Sequence, residues 1–378
     1  MRNLKSFFEI LTIFFLAYGN APAEEVSVIA LGEKLFSNPN LSKNRNISCE
    51  TCHNSNTAFI DNRLSMAEGS VSQGTSHDSF GRRNAPTLTY ASLTPPIRTL
   101  QKETMGGLFF DGRADTFEEQ IIHPLFAADE MGLSNNEMLL SRIKEDPDLK
   151  DMFITVFGET ILNDANNVLK AVQTAIATFE RSAAFSSFDS KYDRFLEGTY
   201  TLTPLERKGY RLFFSDVTNC MNCHLLHKGT LSRREPFTDQ RYHNIGIPKN
   251  RLLLKKKFFG PSYLDSGLAE NPVITSGDNI GKFRTPTLRN VAVTPPYMHN
   301  GVFKTLETTI HFYNRHLIKN HSALINPETK KIWDKPEIER NIDETLLGLG
   351  QPLNEDRTEQ LVAFLRLLTD KRYENLLK

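Results

Sequence analysis

The stretches Cys49-Glu50-Thr51-Cys52-His53 and Cys220-Met221-Asn222-Cys223-His224 use every cysteine in a chain of 378 residues. With four cysteines and ten histidines, only about 0.001 matches to Cys-x-x-Cys-His arise by chance, so two matches carry chemistry. Two thiols add to the two vinyl groups of one haem, and the next residue, His, is carried under the iron as proximal ligand. A zinc or thioredoxin-like reading of either Cys-x-x-Cys leaves both histidines unexplained. The sequence therefore predicts two covalently bound haem c groups, held by Cys49, Cys52, Cys220 and Cys223, with His53 and His224 on the irons. No thiol is left for a disulfide.

Forty-five basic residues balance 45 acidic ones, and 26 phenylalanines lie in a chain that is 39% hydrophobic. This composition argues against nucleic-acid binding and against disorder, and it is enough for two domains with their own cores. Residues 1–23 read as a leader: Arg2 and Lys5, an apolar run from Ile10 to Tyr18, then Ala21-Pro22-Ala23 as a cleavage site. The run falls short of the roughly 20 residues of a membrane span, so a retained anchor is the weaker reading. The expected mature chain begins near Glu24, is exported to the periplasm and is not an integral membrane protein.

The motifs recur in order. Gly32-Glu33-Lys34-Leu35-Phe36 precedes the first cysteine pair, as Gly209-Tyr210-Arg211-Leu212-Phe213 precedes the second. Asn84-Ala85-Pro86-Thr87-Leu88 and Thr94-Pro95-Pro96 match Arg284-Thr285-Pro286-Thr287-Leu288 and Thr294-Pro295-Pro296 at a constant offset of 200. Asp111-Gly112 with Phe117-Glu118 matches Asn300-Gly301 with Leu306-Glu307 at an offset of 189. These repeats mark an internal duplication. Apolar residues at helical spacing between Asp164 and Ser182, and Thr203-Pro204-Leu205-Glu206 as a helix start, put the boundary near residue 200. The expectation is a mainly α fold: two haem domains, 24–200 and 201–378, with long irregular loops and no convincing strand.

The same alignment sets Pro124 against Tyr313 at the approach to the sixth iron position. Proline carries no ligand atom, whereas a tyrosine phenolate binds haem iron. The first haem is thus expected to be open and the second closed by Tyr313, with Met298 and His299 as rival ligands and a core role for Tyr313 as the plain alternative. Over the open site, Gln120 is placed to hydrogen-bond a bound peroxide, and Glu130 to move its proton between the two oxygens. The second half has Thr309 at the Gln position.

Taken in order, SCETCH, GRRNAPTL, FDGRADTFEEQ, CMNCH, FRTPTLRNVAVTPPYMHNG and TLETTIHFY resemble the bacterial di-haem cytochrome c peroxidases and their MauG-like relatives. The resemblance covers essentially the whole mature chain. It implies two cytochrome c-like domains, haems near their interface, and a calcium ion held by Asn84 and the main-chain oxygens of Thr294 and Pro296. It also puts the family's distal Gln and Glu on Gln120 and Glu130. Tyr313, where ordinary peroxidases have Met, places the chain in the MauG-like branch. Two departures stand out: Phe110 occupies the inter-haem position where the family usually has Trp, which leaves direct tunnelling or another residue such as Tyr90 for electron transfer; and His77 is only a loose match to the distal His of the peroxidase branch. The expected activity is an H2O2-dependent oxidation of a protein donor or protein substrate by way of the second haem. A non-enzymatic electron-transfer cytochrome is the alternative.

Overall fold

A helix that must cross another at close range needs a residue without a side chain, and each half has one. Six helices carry the plan: α1 (Ala23–Ser37), α2 (Phe117–Phe126), α3 (Ala165–Glu180), α4 (Pro204–Phe213), α5 (Leu306–Phe312) and α6 (Glu355–Leu367). In the first half α1 crosses α3 at Gly32, where a Cβ would fall 2.1 Å from the Ala175 carbonyl oxygen. In the second, α4 crosses α6 at Gly209, where a Cβ would fall 1.9 Å from the Gln360 oxygen. The computed structural model describes residues 23–377 except 64–66, 102, 226–232, 256–258, 261, 275–276 and 320–323. The leader reading, apart from Ala23, lies outside the described residues.

The ends of these helices follow from local chemistry. Asp164 caps α3 by accepting the Asn167 amide at 2.9 Å, and Val168, Val172, Ala175, Ile176 and Phe179 form its buried stripe. Thr203 and Glu206 close a reciprocal capping box on α4, with Pro204 at its first position. The GEKLF segment is the end of a longer helix than its motif implies, since α1 runs 15 residues.

The duplication is visible in the backbone. Leu108 bridges Ala114 and Tyr297 bridges Phe303, pairs separated by the same 189 residues; Thr116 and Thr305 then cap α2 and α5. Single 3-10 turns at Ala91–Leu93 and Val291–Val293 sit 200 residues apart, each preceded by a left-handed residue, Tyr90 or Asn290.

The buried apolar residues gather into two large clusters, one within residues 31–185 and the other within 192–368. Between them run long loops that hold, among the described residues, two short antiparallel pairs, Arg98–Leu100 with Glu103–Met105 and Tyr242–His243 with Phe283–Arg284. Strands this short carry no alternating pattern, so the sequence gives no sign of them. The mainly α expectation holds.

The halves are tied together by polar contacts. Arg83 binds Asp111 at 2.5 Å and Asp265 at 2.7 Å, joining a first-half loop to a second-half loop. The segment after α6 returns to the first half, where Tyr373 donates to the Ser55 carbonyl at 2.9 Å and Asp370 accepts from Tyr90.

Candidate active site

Cys49–Cys52 form a single helical turn capped by His53, and Cys220–Asn222 form a 3-10 turn capped by Cys223, with His224 next in the chain. His53 Nδ1 lies 3.0 Å from the Phe59 carbonyl oxygen, and His224 Nδ1 lies 3.1 Å from that of Phe237. A carbonyl accepts only, so Nδ1 carries the proton in both rings and Nε2 is left bare, as an iron ligand requires. Burial pushes both imidazoles below their ordinary range, which keeps them neutral. Phe59 and Phe237 supply these carbonyls from left-handed backbone, with φ of 56° and 54°.

The four cysteines form no disulfide with one another, and burial pushes Cys49, Cys52 and Cys220 upward, Cys52 to about 11. Such thiols are neither disulfides nor exposed nucleophiles. In the second half a cavity of 320 Å³ opens beside Cys220, Cys223 and His224, walled by Leu288, Met298 and Tyr313. Paired cysteines with no disulfide between them, an adjacent histidine whose Nε2 carries no proton and an apolar cavity fit a covalently held haem.

The same cavity reaches the first half at Asn84, Tyr90 and Phe110. On its wall Arg284 is a half-buried cation with neutral partners, the Gln240 Oε1 at 2.8 Å and the Phe109 carbonyl at 3.2 Å. Among the described residues no carboxylate pairs with it, and burial lowers its affinity for the proton. A cation so placed suits a carboxylate of the cofactor. Sequence reasoning counted Arg284 only as part of a repeat; its partner at offset 200 is Asn84, and this charge difference is the signal that was there to be used.

Tyr313 follows the last residue of α5, lines the cavity with both cysteines of its half, and has its phenol pushed upward by burial and by Cys223 and Cys220. Met298 lines the same cavity from a left-handed turn. His299 stacks on Phe283 at 3.6 Å, has no partner for Nε2, and is held neutral by burial, at about 4.

In the first half Gln120 and Pro124 stand four residues apart on α2 and so share one face. Both are half-buried. Glu130 follows the helix in a turn fixed by its own amide to the Ala127 carbonyl at 3.0 Å and by the Thr75 amide to its carbonyl at 2.8 Å. Burial first and Asp129 second push its carboxyl up to about 7. Its charge acts on both Cys49 and Cys52, which puts the group on the side of the first cysteine pair. Asp111 and Arg113, by contrast, bind each other at 2.8 Å within the Arg83 network.

Asn84, Thr294 and Pro296 all line the cavity. The Asn84 Nδ2 donates to the Gly69 and Ser70 carbonyls, both at 3.2 Å, which turns Oδ1 the other way. His77 is exposed and bonded to Asp78. Phe110 accepts the Arg284 amide at 2.9 Å and lines the cavity. Trp333 packs at 5.4 Å from both Phe303 and Phe312 in the second core.

Residues 27–201 match the family described as "Di-haem cytochrome c peroxidase". Methylamine utilization protein MauG of Paracoccus denitrificans is 42% identical over 97% of this chain and 96% of its own length. Cytochrome c551 peroxidase of Nitrosomonas europaea is 26% identical over 92% of this chain and 81% of its own. Among solved structures, the diheme peroxidase BthA from Burkholderia thailandensis superposes with a TM-score of 0.79 at 32% identity, covering 93% of this chain and 88% of that one.

Proposed function

We propose how the two halves of this chain, which belongs to the di-haem cytochrome c peroxidase family and its MauG-like branch, divide the labour of one reaction. The protein is an H2O2-dependent di-haem c oxidoreductase that acts with a protein substrate. A haem held by Cys49, Cys52 and His53 would supply the peroxide site, and one held by Cys220, Cys223 and His224, with Tyr313 offering its oxygen, would pass electrons from the substrate. When bound, the haems supply the irons at which peroxide is reduced and through which electrons travel.

The observation that carries the division is the contrast between Pro124 on α2, which offers no ligand atom, and Tyr313 at the end of α5, which faces the cavity of Cys220 and Cys223. At the first site the Gln120 amide donates to peroxide and holds it in place. Glu130, poised near neutrality, takes the proton from one oxygen and returns it to the other, so that two electrons from the substrate and two further protons complete two waters. At the second site the Tyr313 phenol, which burial holds protonated on its own, would give up its proton on binding the iron, and as a phenolate would favour the oxidised metal. Asn84 with the Thr294 and Pro296 carbonyls is the calcium site, of the oxygen-only kind that calcium takes. Residues 1–23 direct export to the periplasm, and 24–200 and 201–378 are the two haem domains. No helix among the described residues is long and apolar enough to cross a membrane.

The test is the absorption spectrum of the purified holoprotein mixed with stoichiometric peroxide. A rapid change at the first haem is expected; a spectrum that does not respond contradicts the proposal.

A further inference from the structure

Tyr90 is buried at 2% exposure in a left-handed conformation, φ 61° and ψ 7°. A bulky side chain there is strained. Its counterpart 200 residues on, at φ 62°, is Asn290, a residue type that tolerates this backbone. The duplication thus supplies a control: the turn works with asparagine, and the first half bears a tyrosine at a cost.

What the phenol does there is specific. Its backbone belongs to the first half, with the amide donating to the Phe185 carbonyl at 2.9 Å, while its hydroxyl donates to Asp370 Oδ1 in the second half at 2.5 Å. The other Asp370 oxygen accepts from Asn290 at 2.9 Å, and Asp370 is 0% exposed. Burial raises the carboxyl's affinity for a proton. Tyr90 lines the cavity shared by both halves. Tyr297, also on that wall, donates instead to the Val291 carbonyl, which cannot take a proton away. Of the described tyrosines on this wall, Tyr90, Tyr297 and Tyr313, it is Tyr90 that has a carboxylate at its hydroxyl.

We propose that Tyr90 and Asp370 form a redox relay between the two halves. Oxidising a buried phenol releases a strong acid, so the electron leaves readily only where a base within hydrogen-bond reach takes the proton with it. Tyr90 gives one electron to the oxidising equivalent derived from peroxide, and its O–H bond breaks as the proton passes to the Asp370 carboxylate. The tyrosyl radical is then reduced by one electron arriving from the substrate side, and Asp370 returns the proton to the phenol oxygen. Charge and atoms balance, with peroxide as the oxidant. Phe110, on the same wall, has no proton to lose and is the poorer carrier.

The relay rests on the peroxide chemistry proposed above, and the two fail differently. The holoprotein is mixed with stoichiometric peroxide without donor and freeze-quenched for EPR, alongside protein grown on ring-deuterated tyrosine. A tyrosyl signal that narrows on deuteration is expected, lost in Tyr90→Phe and at least tenfold weaker in Asp370→Asn, with resting haem spectra unchanged as the check on folding. Spin trapping of wild-type protein followed by peptide mass spectrometry needs no variant, and its adduct is expected on the peptide containing Tyr90. A haem spectrum that responds while no tyrosyl signal forms, a signal undiminished in Tyr90→Phe, or an adduct on another tyrosine overturns the relay alone. A haem spectrum that never responds to peroxide overturns both.

Discussion

Gly209 of α4 approaches Gln360 of α6 so closely that a methyl group on its Cα would lie 1.9 Å from the Gln360 carbonyl oxygen. The obstacle is backbone, which cannot rotate away, so the helices would have to separate. Gly209→Ala is expected to destabilise the holoprotein by at least the ~1–3 kcal/mol of ordinary overpacking, read from the denaturation midpoint. Gly32→Ala, facing Ala175 in the first half, is expected to behave alike.

Arg289 and Asp193 are both 0% exposed and form a two-bond ion pair at 2.9 and 3.0 Å. Arg289→Met leaves a carboxylate in the core without its counter-charge and is expected to cost about 3–5 kcal/mol in chemical denaturation. Adding Asp193→Asn to that variant removes the stranded charge and should recover part of the loss.

Glu180 at the end of α3 is buried, its Oε2 has no partner, and burial pushes its carboxyl from 4.5 up to about 8. Below pH 4.5 both folded and unfolded chains hold the proton, so the group is neutral in stability. As pH rises from there toward 8 the unfolded chain ionises first, and the fold loses up to about 3 kcal/mol by pH 7. Glu180→Gln is therefore expected to match wild type in acid and to melt higher at neutral pH. Equal melting curves at both would show that the carboxyl has found another partner.

The sequence made the chemistry of the cysteines legible because covalent attachment fixes spacing: Cys49, Cys52 and His53 must be close in the chain. It made the helices legible through Asp164, Thr203 and the period of Val168 to Phe179, all local signals. Arg83 with Asp111 and Asp265, and Tyr90 with Asp370, were not legible as pairs. Their partners lie 28, 182 and 280 residues away, the last two in the other half, and nothing local marks a side chain for a contact made so far along the chain. Arg284 shows a middle case, for the aligned repeats expose it against Asn84 but its lack of a carboxylate partner appears only in the fold.

Glu130, pushed up to about 7, must be ionised before it can take a proton from peroxide. The rate of the peroxide reaction is thus expected to rise with pH through about 7 and level off above it. Glu130→Gln should lose that limb and slow the reaction about 10²–10⁴-fold, the usual worth of a positioned acid-base group, as measured by stopped-flow absorbance across pH.

The division into an open first haem and a second haem closed by Tyr313 is tested most directly by the resting ferric EPR spectrum of the holoprotein, recorded for wild type and for Tyr313→Phe. The account expects one high-spin and one low-spin signal in wild type, with the low-spin signal alone lost or shifted in the variant. A low-spin signal unchanged by the substitution would contradict it.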